Sequence, residues 1–140
     1  MSIGRRPARV ARNEKASPLG GPRAALRWLD SLQGSGIRPG LDRVRGLLRA
    51  AENPHRAYRT VIVAGTNGKG STSATIASIL RHAGLRVGLY TSPHLIQLGE
   101  RWRIGDADVS SEALLAAIRE LHSASERCGI EPPYFEALTV

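Results

Sequence analysis

The sequence is poor in cysteine, in aromatic residues and in long apolar runs, and each shortage excludes a class of protein. Its single cysteine, Cys128, rules out an internal disulfide and suits a reducing compartment. No apolar stretch approaches the ~18 residues that a membrane-spanning helix needs. Because aromatic residues make up only 4% of the chain, aliphatic and alanine-rich packing must form the core. We therefore expect a cytoplasmic protein with no membrane partner.

Acidic residues are also scarce, but the resulting positive charge is concentrated at one end. The net charge is +8, and residues 1–27 contribute +6 of it through seven basic residues and one acidic residue. This segment is rich in glycine, proline and arginine, which is typical of disordered tails, so we assign residues 1–22 to a disordered basic tail. Nucleic acid is therefore not the expected partner, and polyanion binding by the tail stays an alternative.

Residues 23–140 contain the helix and strand patterns of the chain, and a segment of this length suits one domain. Leucines at helical spacing predict amphipathic helices over 22–33 and 41–51, with Leu26 and Leu41 among the inward-facing residues. A further helix is predicted from Ser110 or Ser111 to about Cys128, and the opening of another over 134–140.

Two apolar runs predict strands buried on both faces, one over 60–64 and one over 87–90. The helix predicted between them covers 71–83, with Ile76, Ile79, Leu80 and Ala83 on its inner side. The order strand, glycine-rich loop, helix, strand forms one βαβ unit, for which a right-handed crossover predicts a parallel pair. The fold class that follows is α/β, with a parallel sheet.

The loop between the first strand and this helix has the chemistry of a phosphate-binding loop. Backbone N–H groups in a glycine-rich turn converge on an anion, and the helix N-terminus adds a partial positive charge. Lys69 supplies a full charge for the β- and γ-phosphates, and the hydroxyl of Ser71 or Thr72 suits Mg²⁺. The loop residues that we expect to bind ATP are Gly65, Thr66, Asn67, Gly68, Lys69, Gly70, Ser71 and Thr72.

This loop departs from the common G-x-x-x-x-G-K-[ST] pattern at two positions. Val63 stands where the first glycine is usual, and Gly70 stands where serine or threonine follows the lysine. A glycine-rich turn with a stray lysine is the simpler alternative, but few such turns combine three glycines, a lysine and a run of hydroxyls at a helix start.

With these two departures, the sequence of residues 65–71 resembles the phosphate loop of the Mur-ligase superfamily, and specifically of folylpolyglutamate and dihydrofolate synthases. The resemblance includes four further segments that occur in the family's order between residues 24 and 140. They are Gly-Leu-Asp-Arg-Val at 40–44, Tyr-Thr-Ser-Pro-His-Leu at 90–95, Glu-Arg-Trp-Arg-Ile at 100–104 and Tyr-Phe-Glu at 134–136. The resemblance implies a P-loop ATP-binding domain of the Mur-ligase type, with its first βαβ unit and flanking helices.

The resemblance also implies an ATP- and Mg²⁺-dependent ligase that joins L-glutamate to dihydropteroate or a folate through an acyl phosphate. Lys69 is then the catalytic residue, and Ser92 with Ser71 coordinates magnesium. Hydroxyl oxygens are suitable ligands for such a hard cation. The expected partners are small molecules, namely ATP, dihydropteroate or folate, and L-glutamate, and we expect a monomer at full length.

The family's folate contacts fall on two segments of this chain. They correspond to Gly36, Ile37, Arg38 and Pro39 in one loop, and to Pro133, Tyr134, Phe135 and Glu136 in the other. Tyr134 and Phe135 suit a flat wall for a pterin ring, although core packing competes for them. The alternation of Arg101 and Arg103 predicts that both lie on one side of a short strand, where they suit a carboxylate or phosphate, and a solvated edge strand is an equal alternative.

The family's later magnesium ligands and its C-terminal domain have no counterpart in the 140 residues. We therefore expect residues 23–140 to be the N-terminal portion of the ATP-binding domain, inactive in ligation by itself. A nucleotide-binding switch or regulatory module is the alternative from another class. It requires a base-reading motif and a switch aspartate, and the sequence shows neither.

Overall fold

The computed structural model describes residues 19–36 and 39–140, so the predicted tail lies outside it up to residue 18. The described part contains five α-helices and three short strands. The helices are α1 Pro22–Ser31, α2 Asp42–Ala50, α3 Lys69–His82, α4 Ser111–Cys128 and α5 Tyr134–Thr139. The strands are β1 Gly88–Tyr90, β2 Trp102–Ile104 and β3 Ala107–Asp108, with 3₁₀ turns at Leu32–Ser35, Pro54–Ala57 and Leu98–Arg101.

The ends of α4 follow from local capping chemistry. Ser110 caps its N-terminus, because the Ser110 hydroxyl accepts a hydrogen bond of 3.2 Å from the backbone N–H of Ala113. The helix ends at Gly129, whose φ of 65° lies in the left-handed region that glycine adopts without a steric penalty. The prediction of a helix that begins at this serine and ends at Cys128 is confirmed.

Helices α1, α4 and α5, with the 3₁₀ turn after α1, enclose the main core. Leu29 and Leu32 are 1% exposed and pack with Ile118 of α4 and Leu138 of α5. The predicted inner faces were too wide, because Leu26 and Leu41 are 40% and 60% exposed. Each of these two leucines lies at the margin of its helix's apolar stripe, where the neighbouring helices do not cover it.

Helices α2 and α4 approach each other closely at Gly46. A Cβ atom there would collide with Cδ1 of Ile130, which follows α4. The guanidinium of Arg127 also donates a 2.8 Å hydrogen bond to the carbonyl of Ala50 at the end of α2. This contact fixes α2 against α4, on which α1 also packs.

The strands form an antiparallel sheet in the order β1-β2-β3. The second predicted strand exists as β1, but its partner β2 is antiparallel, so the predicted parallel pair was wrong for the described residues. β2 and β3 form a hairpin with the two-residue loop Gly105-Asp106, in which Gly105 has a φ of 65°. A Gly-Asp pair between short apolar runs is a hairpin signal that our sequence reading missed.

The first predicted strand is not formed, because residues 60–64 pair with no strand in the described part. Val61 and Ile62 are 66% and 85% exposed. A strand buried in a parallel sheet needs strands beside it and helices on both faces, and the described residues place neither there. The following helix, α3, is similarly uncovered, since Ile79 and Ala83 of its predicted inner side are exposed.

None of the helices in the described ranges combines the length and the apolar character required to cross a membrane.

We predict that Leu29→Ala lowers the free energy of unfolding by about 2–5 kcal/mol, because it leaves a cavity in the main core. Leu26→Ala removes the same atoms from the same helix at a partly exposed position, so it should cost less than about 1 kcal/mol. Denaturant unfolding of the two variants checks this difference. Equal losses would contradict the core described above.

Candidate functional site

The predicted phosphate loop leads directly into α3. Gly65 and Gly68 have φ values of 152° and 75°, which a residue with a Cβ adopts only with strain. Gly68 is the residue before the first helical position, Lys69, so the helix N-terminus opens onto the loop. The first N–H groups of a helix have no partner within it, and here they face an exposed glycine-rich turn.

The side chain of Lys69 folds back over this loop. Its ammonium donates hydrogen bonds of 2.6 Å to the carbonyl of Gly65 and 3.0 Å to the carbonyl of Thr66. These contacts hold the only lysine charge of the described residues beside the N-terminus of α3. A positive charge and a helix N-terminus at one loop together favour an anion.

The two predicted magnesium ligands lie on neighbouring elements. Ser71 is in the first turn of α3, and Ser92 follows the end of β1, which packs against α3. Both serines are exposed. Among the residues that the structure describes, no group of three acidic, histidine or cysteine side chains gathers as a metal site. The candidate ligand atoms are the neutral hydroxyl oxygens of the two serines, which suit a Mg²⁺ ion held mainly by phosphate oxygens.

A groove of about 910 Å³ lies at the segment that follows β1. Its lining brings together one end of the 3₁₀ turn after α1, the start of α5 and the segment between β1 and β2. The lining residues are Leu32, Gln33, Gly36, His94, Arg101, Pro133, Tyr134, Phe135 and Glu136. The volume is within the range of small-molecule sites.

Five of the eight predicted folate-binding residues line this groove, namely Gly36, Pro133, Tyr134, Phe135 and Glu136. Pro39 is exposed and does not line it, and Ile37 and Arg38 lie outside the described residues. The sequence analysis did not assign Leu32, Gln33 or His94 to this site. Leu32 lies within the amphipathic helix predicted over 22–33, and it is buried in the main core as well as lining the groove.

The wall formed by α5 is held in place by an ion pair. Arg43 of α2 donates to both carboxylate oxygens of Glu136, at 2.6 Å from Nη2 and 3.2 Å from Nε. Hydrogen bonding to Glu136 raises the pKa of Arg43 above its ordinary value. Both oxygens of Glu136 are thus engaged, so this residue fixes the position of α5.

Phe135 projects from this fixed helix and is 62% exposed at the groove, whereas Tyr134 is partly buried against the core. The two uses considered for this pair were core packing and a flat wall for a pterin ring, and each residue suits one of them. Tyr134 contributes to packing, and Phe135 offers an open aromatic face.

The two arginines of the segment after β1 have different surroundings, so the prediction that both lie on one side of a short strand was wrong. Arg101 precedes β2 in a 3₁₀ turn, is 8% exposed and donates from Nε to Nδ1 of His94 at 2.9 Å. Arg103 lies on β2, is exposed and pairs with Asp108 at 3.1 Å. The alternation rule assumes that both residues belong to one strand, and here only Arg103 does.

Glu100 organises the loop that carries His94, a role that the sequence analysis missed. Its carboxylate accepts hydrogen bonds from the backbone N–H groups of Leu95, Ile96 and Gln97, at 2.9, 3.1 and 2.6 Å. Together with Gln97 it forms a capping box on the 3₁₀ turn. Donation from Leu95, then from Gln97 and Ile96, lowers the pKa of Glu100 below its ordinary value.

Comparison with known proteins finds the same family in sequence and in structure. The dihydrofolate synthase/folylpolyglutamate synthase of Bacillus subtilis is 35% identical over 119 residues, which cover 82% of this chain and 28% of that protein. Folylpolyglutamate synthetase from Lactobacillus casei superimposes with a TM-score of 0.74 at 32% identity, covering 82% of this chain and 31% of the other. The E. coli FolC structure in complex with DHPP and ADP superimposes with a TM-score of 0.69 at 36% identity, covering 82% of this chain and 28% of the other.

The chain therefore spans less than a third of the length of these relatives. A scan against models of protein families finds no match.

We predict that Glu100→Gln destabilises the protein at neutral pH and has little effect in acid. A carboxylate whose pKa is lower in the folded state than in the unfolded state stabilises fully above the unfolded value of about 4.3. That stabilisation is lost as the pH falls from there through the lower folded-state pKa. Denaturant unfolding of both proteins at pH 7 and in acid checks this, and a difference that does not shrink in acid would contradict it.

Proposed function

The chain belongs to the family of folylpolyglutamate and dihydrofolate synthases, and we propose that it provides the phosphate loop and the folate groove of an ATP-dependent ligase. The observation that carries this proposal is the convergence of two distant segments, around Gly36 and 133–136, on one groove. The relatives' printed names and the DHPP and ADP in one of their structures support it.

The proposed reaction is the formation of an amide between L-glutamate and dihydropteroate or a reduced folate. The carboxylate of the folate-type substrate attacks the γ-phosphorus of ATP, which gives an acyl phosphate and releases ADP. The amine of L-glutamate then attacks the acyl carbon, loses a proton and displaces phosphate. The products are the amide, ADP and phosphate.

In this scheme the loop binds the phosphates of ATP. Its backbone N–H groups, at Gly65 to Ser71, surround the β- and γ-phosphates, the hydroxyl of Thr72 lies at the same helix start, and Lys69 neutralises the charge that develops on the transferred group. In the structure the Lys69 ammonium is bonded to carbonyls of the loop itself. We expect it to exchange these two neutral acceptors for phosphate oxygens, with which its hydrogen bonds are stronger.

Magnesium fits this arrangement through the hydroxyls of Ser71 and Ser92, which lie on adjacent elements. When bound, the ion neutralises phosphate charge. The residues of this chain orient it from the first turn of α3 and from the end of β1.

The groove binds the folate-type substrate in this proposal. Phe135 offers an open aromatic face against which a flat pterin ring can stack. Pro133, which precedes α5, is buried and also lines the groove. Gly36 lies on the other side, at the end of the turn after α1. The Arg43–Glu136 pair keeps α5 in the position that this stacking requires.

We predict that Lys69→Ala abolishes glutamate ligation in a chimera in which this chain replaces the matched segment of the Bacillus subtilis relative. Loss of the charge should lower turnover at least about 100-fold without unfolding the protein. Arg86→Ala, which removes an exposed positive charge outside the loop, is the matched control and should retain turnover. Ligation at the parent rate in the Lys69 variant would refute the assignment.

A further inference from the structure

Arg101 is a buried cation that has no acidic partner within residues 19–36 and 39–140. Its exposed fraction is 8%, yet none of the five ion pairs of the described residues includes it. Removing a guanidinium from water without a counter-charge is costly. A residue that is held in this way next to a groove suits an anionic ligand.

The nearby carboxylates are already engaged elsewhere. Glu100, the preceding residue, accepts three backbone N–H groups, and Glu136 across the groove is bound by Arg43 at both oxygens. Neither carboxylate is therefore available to neutralise Arg101. The protein keeps the two acids away from this cation and leaves its charge directed to the groove.

His94 fixes the orientation of the guanidinium. The Nε–H of Arg101 donates to Nδ1 of His94 at 2.9 Å, so Nδ1 must be the unprotonated ring nitrogen. The remaining donors are Nη1 and Nη2, which have no partner among the described residues and are not sealed from solvent. Because both residues line the groove, these donors are presented to whatever occupies it.

We propose that Arg101 binds the carboxylate of the folate-type substrate, the group that accepts the phosphoryl, and that His94 is its positioning residue. This inference rests on the proposed function of the groove. The carbonyl of Arg101 accepts a 2.9 Å hydrogen bond from the N–H of Thr91, next to Ser92. Arg101 thus shares the groove with Phe135 and is bonded to the neighbour of the proposed magnesium ligand, and the acceptor carboxylate must meet the γ-phosphate near that ion.

The test is calorimetric titration of the 140-residue chain with pteroate, which has a single carboxylate, and with its neutral methyl ester. The wild-type chain should bind pteroate roughly 10- to 100-fold more tightly than the ester, as expected for hydrogen bonds to a charged group. Arg101→Gln should bind both compounds equally weakly. Arg103→Gln, which removes a surface charge two residues away, should retain the preference.

The positioning role of His94 has its own variants. His94→Ala should reduce the preference for pteroate, and His94→Asn should restore part of it, because its amide oxygen can accept the Nε–H of Arg101. Circular dichroism of each variant establishes that it is folded. The comparison of acid with ester in the wild-type chain needs no substitution, so it tests the proposal even where a variant unfolds.

The outcomes separate this inference from the proposed function. Equal wild-type binding of pteroate and ester, or a preference that survives Arg101→Gln, would overturn the role of Arg101 alone. A wild-type chain that binds neither compound would overturn the assignment of the groove, and with it this inference.

Discussion

The ion pair between Arg43 and Glu136 connects residues 93 positions apart, and the geometry of the groove depends on it. It fixes α5 to α2, and α2 is itself packed against α4 and, at Gly46, against Ile130 after the end of α4. The side chains are only 26% and 14% exposed, so loss of Arg43 would leave the partly buried carboxylate of Glu136 without this counter-charge. With α5 held in this way, Phe135 keeps its aromatic face on the groove, and the carboxylate of Glu136, which lines the same groove as Arg101, is already engaged by Arg43.

The helical half of this structure was predictable from the sequence because its determinants are local. Leu29 and Leu32 recur at helical spacing, Ser110 caps α4, and Gly129 ends it in a left-handed conformation. Each signal acts within one or two turns of chain. The predicted phosphate loop is local in the same sense, since its glycines and Lys69 lie within six residues at a helix start.

The strands and the groove depend on contacts between distant residues, and there the sequence was insufficient. Residues 60–64 have the composition of a buried strand, but composition does not supply neighbouring strands, and Ile62 is 85% exposed. The capping carboxylate of Glu100 and the His94–Arg101 hydrogen bond have no periodic signature. The resemblance to a family identified five residues that line the groove, but it did not reveal that Arg101 lies outside the strand that carries Arg103 and also lines the groove.

The central claim is that one face of this small helical assembly is a substrate groove beside a phosphate loop. A crystal structure of the chain with pteroate and a non-hydrolysable ATP analogue tests it most directly. We predict the pterin ring on the face of Phe135, and the analogue's phosphates at Gly65 to Thr72 within hydrogen-bond distance of Lys69. Pteroate bound away from the groove, or an analogue bound away from the loop, would contradict the account.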